Sequence, residues 1–135
     1  MDLAQTLAVA AAGLRAQGER LRVVAENIAN ADSVSIGPNG QPYRRQIVTF
    51  KDVLDHETGV GKVAVDRVRP DTSPLRLKYE PGHPDADSQG YVHLPNVNTL
   101  IEMTDMREAQ RSYDANLKVI EVTHAMVART LSLLQ

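Results

Sequence analysis

The chain reads as mainly α with a small β insert: two long terminal helices packed as an antiparallel, coiled-coil-like hairpin, with a short β-rich module between them. Three observations predict this. Apolar residues recur on a seven-residue cycle at both ends, all seven prolines and six of the eight glycines lie between, and aromatic residues are scarce. With no Trp, one Phe and four Tyr, the chain lacks the large rings that fill most compact cores. Its 135 residues are enough for one ordinary domain.

The C-terminal stretch 96–135 carries the longest pattern. Met103, Met106, Tyr113, Leu117, Ile120, Val127, Leu131 and Leu134 fall at alternating steps of three and four. Gln110 and His124 occupy the two vacant steps. Such a recurrence draws one apolar stripe down a helix. At ~1.5 Å per residue this helix runs about 55–60 Å, too long for a compact domain of this size to cover its stripe. Asn96 and the Thr99–Glu102 capping-box pattern are both suitable starts.

Residues 2–30 supply the second helix. Leu3, Leu7, Ala10, Leu14, Leu21, Val24 and Ile28 make a heptad seam, with Gln17 at its vacant position. Asp2 with Gln5 forms a plausible N-terminal cap. Gly13 and Gly18 weaken this helix by roughly 1 kcal/mol each against Ala. With Ala8, Ala10, Ala11, Ala12 and Ala16 they also leave room for close approach by a neighbour. Asn30-Ala31-Asp32-Ser33 ends the helix in a turn. The domain division expected is 1–31 with 96–135 as one discontinuous helical domain, and 32–95 as the insert.

Within the insert, Gly37-Pro38-Asn39-Gly40 is a turn, and Tyr43–Phe50 follows as a strand, making a hairpin across that turn possible. Further strands fit Gly61–Arg69, Leu75–Tyr79 and Gly90–Leu94, with Glu80–Pro84 as a rigid loop. The expectation is three to five short strands.

Chemistry is sparse. Fifteen Lys and Arg oppose 17 acids, a formal charge of −2 spread evenly along the chain. Nothing in that balance favours nucleic acid or an anionic membrane. There is no cysteine, so disulfides and thiolate metal sites are excluded. His56, His83, His93 and His124 have no metal-ligand spacing; His124 lies on the apolar stripe, as a packed or interface histidine would. Asp55 with Glu57 and Asp85 with Asp87 read as solvated loop carboxylates. Gly37, Gly40, Gly59 and Gly61 match no phosphate-binding pattern. Arg15, Arg22 and Arg111 each have an acid one helical turn away, as on a solvent-facing helix. No catalytic constellation converges, and no cofactor, metal or small-molecule substrate is expected. No apolar run reaches the ~18 residues of a membrane span. The LAVAAAGL run near the start lacks a positive flank and continues the helical period, so it reads as retained structure rather than a cleaved signal.

Four stretches then carry a resemblance: two helical signatures, the 37–44 turn and the run from 79 to 97. Asn27-Ile28-Ala29-Asn30-Ala31-Asp32 is similar to the signature that closes the N-terminal helix of bacterial flagellar rod and hook proteins. EMTDMREAQRSYDANLKVI, with Arg111, Tyr113 and Asn116, resembles the matching C-terminal signature. GPNGQPYR (37–44), YEPG (79–82), GYV (90–92) and LPNV (94–97) resemble the proximal-rod members of the basal-body rod family. Ser33–Ile36 is longer than that family's usual spacing. The resemblance covers essentially the whole chain. It implies a structural subunit of the proximal rod, in the periplasmic space, that assembles helically to transmit torque and is exported by the flagellar type III apparatus. Its implied partners are copies of itself, other flagellar rod subunits, and rod-base adaptor and export-gate components. The seam residues of both helices are the expected packing and subunit interface. A generic coiled-coil adaptor forming a discrete oligomer is the alternative. A hydrolase using His93 and a loop carboxylate would need a pocket that the sequence does not assemble.

Overall fold

The structure is a computed structural model and describes residues 1–34 and 41–135. The element order is α1 (Leu3–Ala29), β1 (Gln46–Asp55), β2 (Val60–Pro70), β3 (Arg76–Tyr79), β4 (Tyr91–Leu94) and α2 (Thr99–Leu133). Two terminal helices thus flank two two-stranded sheets, β1–β2 and β3–β4. The turn at Gly37–Gly40 and the hairpin across it lie outside the described residues.

The capping of α1 follows from its first residues. Asp2 Oδ1 accepts from the Gln5 N–H at 2.7 Å, and Gln5 Oε1 accepts from the Asp2 N–H at 3.0 Å, so two otherwise orphaned donors are satisfied reciprocally. At the far end the Asn30 side-chain amide donates to the Glu26 carbonyl at 2.9 Å. The start of α2 differs from both sequence candidates. Asn98 caps it, its Oδ1 accepting from the Leu100 N–H at 3.1 Å, because Asn96 is committed elsewhere.

The chain divides into two compact units. The first comprises Met1–Leu21, Val48–Arg67 and Arg107–Gln135. Here the helices pack antiparallel. A Cβ on Gly13 would stand 2.8 Å from the Asn116 side chain, one on Gly18 3.8 Å from the Tyr113 ring, and Arg20 reaches Glu108 at 3.4 Å. Position numbers rise along α1 as they fall along α2. Ala10, Ala12 and Ala16 are buried, so this face of α1 is built from small side chains that allow close approach. The β1–β2 hairpin in this unit is closed by the Gly59 N–H donating to the Asp55 carbonyl at 2.7 Å. Gln5 Nε2 ties it to α1 through the Thr58 carbonyl at 3.1 Å.

The second unit comprises Arg22–Ile47 and Val68–Met106. Its β3–β4 ribbon is antiparallel, pairing Arg76 with Leu94 and Tyr79 with Tyr91. Val92 is buried on one face, while the Tyr79 and Tyr91 rings meet edge to face at 5.3 Å on the other. Gly90, at φ 84°, closes the loop before β4. A Cβ there would lie 3.0 Å from the Tyr79 ring, so backbone angle and space both require glycine.

Candidate assembly surface and a buried polar knot

Burial on α2 follows a heptad that only partly coincides with the apolar stripe. Glu102, Ala109 and Thr123 are buried, and Met106, Tyr113, Asn116, Ile120 and Val127 are half-buried. Together they run at steps of four and three, which is the geometry of a helix seam. Met106, Tyr113, Ile120 and Val127 are common to stripe and seam. Met103, Leu117, Leu131 and Leu134 are exposed, Leu134 at 79%. On α1, Ala10 and Val24 are buried, Leu7, Leu14, Leu21 and Ile28 half-buried, and Leu3 exposed. His124 is exposed and lines a hollow with Leu7, Val127, Ala128 and Leu131.

A second apolar row lies on α2 outside the seam. Ala115, Val119, Val122, Met126 and Leu133 are all exposed, spaced so that they share one side of the helix. Ala115, Val119 and Val122 form one wall of an open groove with Lys118 and Thr123. Exposed apolar side chains aligned on one side of a helix, interrupted here at Arg129, have the form that interaction surfaces take.

The family-signature residues have distinct structural work. Asn116 sits over Gly13, its Nδ2 donating to the Ser112 carbonyl at 2.9 Å. Tyr113 lies over Gly18, Asn30 caps α1, and Arg111 is exposed. Asn27 is buried to 1% exposure at the centre of a polar knot in the second unit. Its Oδ1 accepts from the Tyr43 hydroxyl at 2.7 Å and the Gln46 N–H at 2.8 Å. Its Nδ2 donates to the Gln46 carbonyl at 2.9 Å and to Glu102 Oε2 at 3.2 Å. All four hydrogen-bonding positions of the amide are therefore filled.

The knot extends through Arg45. Its guanidinium pairs with Glu102 through Nε, with Asp71 at 3.3 Å and with Asp105 at 3.6 Å. Burial pulls the Arg45 pKa down, but Glu102 and Asp71 outweigh it and raise the value. Asp71 is held below its ordinary range by hydrogen bonds from the Ser73 hydroxyl and N–H, and then by Arg45. Burial, with the Glu26 and Glu102 carboxylates adding to it, raises the Tyr43 phenol. Asn96 completes the tie. Its Oδ1 accepts from the Arg45 N–H at 2.8 Å, and its Nδ2 donates to the Asp71 and Ser73 carbonyls at 3.1 and 3.0 Å. Arg76 bonds the Pro95 carbonyl at 2.9 Å and the Ala31 carbonyl at 2.5 Å. Residues 43–46 are thus fastened by polar groups, not by an apolar core.

Sequence reasoning missed Tyr43, Arg45, Glu102 and the true use of Asn96. A charged residue in a helical pattern reads as solvent-facing, and partners separated by 57 or 75 positions leave no local signal. The usable clue was Glu102 itself, seven residues before Ala109 and four before Met106.

Elsewhere the titratable groups are engaged in loops. Asp55 pairs with Lys62 and accepts the Glu57 N–H at 3.0 Å, which lowers its pKa to about 2. His93 contacts Asp87 at 3.2 Å, and His83 Nδ1 accepts the Asp85 N–H at 3.1 Å. Among the described residues no group of three His, Asp or Glu side chains is placed to hold a metal. Among them, too, no helix is long and apolar enough to cross a membrane.

Comparison with known proteins identifies the architecture. Residues 88–133 match the family model described as flagellar basal body rod FlgEFG protein C-terminal. A flagellar basal-body rod protein FlgC of Agrobacterium fabrum is 53% identical over 94% of this chain and 91% of its own length. The FlgC protein of Salmonella typhimurium is 44% identical over 98% of both. That of Borreliella burgdorferi is 43% identical over 100% of this chain and 99% of its own. Near-complete coverage at such identity carries the assignment to a structural rod subunit of the basal body: the chain belongs to the FlgC family of flagellar basal-body rod proteins.

Proposed function

We propose that this rod subunit builds the proximal rod by helical assembly and transmits torque across the periplasmic space. Its neighbours are copies of itself and other flagellar rod subunits, with adaptor and export-gate components at the rod base, and it is delivered by the flagellar type III apparatus. Segments 1–31 and 96–135 act as one discontinuous helical element with coiled-coil-like packing, and 32–95 is the insert it carries. The observation that supports this best is the apolar row Ala115, Val119, Val122, Met126 and Leu133, exposed on a helix whose other side already packs on α1. A helix with one satisfied seam and one open row joins subunits heterologously, and heterologous contacts repeat without closing. Torsional load is then shared over many helix contacts. The remaining seam-flanking residues, among them Leu3, Leu117 and Leu131, belong to the same subunit interface.

A photo-activated cross-linker placed at Val122 in purified basal bodies tests this. Adducts with rod subunits are expected. A single adduct corresponding to a closed dimer would favour the discrete-oligomer alternative.

A further inference from the structure

We infer that Glu102, with Arg45 and Asn27, is a register lock that admits only one alignment of α2 against α1. The apolar half of the α2 seam is Met106, Tyr113, Ile120 and Val127, four largely apolar side chains of differing size seven residues apart. A slip of one heptad would superimpose each on the next, and such patterns specify register weakly. The other half is Glu102, Ala109, Asn116 and Thr123, mostly small or neutral. The same slip would put Ala109 where Glu102 stands and Ser112 where Asp105 stands. Arg45 would lose two of its three carboxylates, and Asn27 Nδ2 would lose one of its two acceptors.

Leaving buried donors unpaired costs far more than a made pair contributes. Glu102 is 1% exposed, so water cannot stand in for it in the native arrangement. A buried ion pair adds little net stability compared with apolar residues of similar volume, and its best-attested role is to fix register. The discrimination here acts against the slipped state.

The chain has no cysteine, so engineered pairs report register directly. Arg20→Cys with Glu108→Cys, linked by a short bis-maleimide, reads the native alignment. Arg20→Cys with Ala115→Cys reads the slipped one. In the otherwise unaltered chain the slipped pair should cross-link at less than a tenth of the native yield. In an Arg45→Met/Glu102→Leu background the fold should persist by circular dichroism and the slipped yield should rise at least tenfold. A folded double variant that still links only the native pair would overturn the inference and assign register to side-chain shape or the Asn96 tie. A double variant that unfolds would also overturn it, because the pair would then be a stabiliser.

Discussion

The two compact units hold together by opposite means. Along Met1–Leu21 and Arg107–Gln135, small side chains let helices approach until Asn116 lies over Gly13. In the unit containing Arg22–Ile47 and Val68–Met106, one buried amide and one buried carboxylate gather a phenol, a guanidinium and two backbone groups. Close packing tolerates graded change, since each lost contact is small. A satisfied polar knot does not, because removing one member strands the others.

The largest effect is therefore expected at Glu102. Glu102→Ala leaves Arg45 and Asn27 without their buried acceptor and should cost roughly 3 kcal/mol. That is the low end for breaking a buried pair, since Arg45 keeps Asp71 and is 23% exposed. Urea denaturation measures it, and a loss under about 1 kcal/mol would place the knot's strength elsewhere.

Next comes Gly13→Ala. Alanine would favour an ordinary helix by up to about 1 kcal/mol, but here its Cβ meets the Asn116 amide at 2.8 Å. The amide can yield only by giving up its bond to Ser112. We expect a net loss of about 1–2 kcal/mol, relieved when Asn116→Ala is added, as a double-mutant cycle would reveal. Gly18→Ala is the contrasting case. Its nearest neighbour across the seam lies at 3.8 Å, so the helix gain of up to about 1 kcal/mol should survive and raise the melting temperature.

The smallest effect concerns pH at the β1–β2 turn. The Asp55 carboxyl has its pKa lowered from 3.8 to about 2, first by Lys62 and then by the Glu57 N–H. Its contribution to stability is complete above pH about 4 and disappears as pH falls through about 2. A carboxyl-carbon NMR titration should show a midpoint near 2; one near 4 would mean the turn does not hold Lys62 in place.

Much of this fold was legible because its signals are local. Heptad spacing marked both helices, Asp2 and Gln5 marked the first cap, and alternation near Gly61–Arg69 located β2 within a residue at each end. β1 extends five residues beyond Phe50, where Lys51-Asp52-Val53-Leu54 no longer alternates cleanly and cross-strand pairing, not polarity, sustains the strand. The seam was half legible. Met106, Tyr113, Ile120 and Val127 stand out by hydropathy, whereas Ala109, Asn116 and Thr123 are recognisable only once Gly13 and its small neighbours define how close α1 comes. Of the knot, only Asn27 in its signature and the heptad place of Glu102 left a trace in the sequence, since its members are ordinary polar residues made unusual by distant partners.

In the function proposed above, α2 has one row for its own helix partner and a second, exposed row for other rod subunits. Val122→Asp and Met126→Asp test it most directly when monomer stability and rod assembly are measured on the same variants. Urea midpoints close to the unaltered protein are expected, together with loss of rods and motility. Normal rods in cells carrying either variant would contradict it.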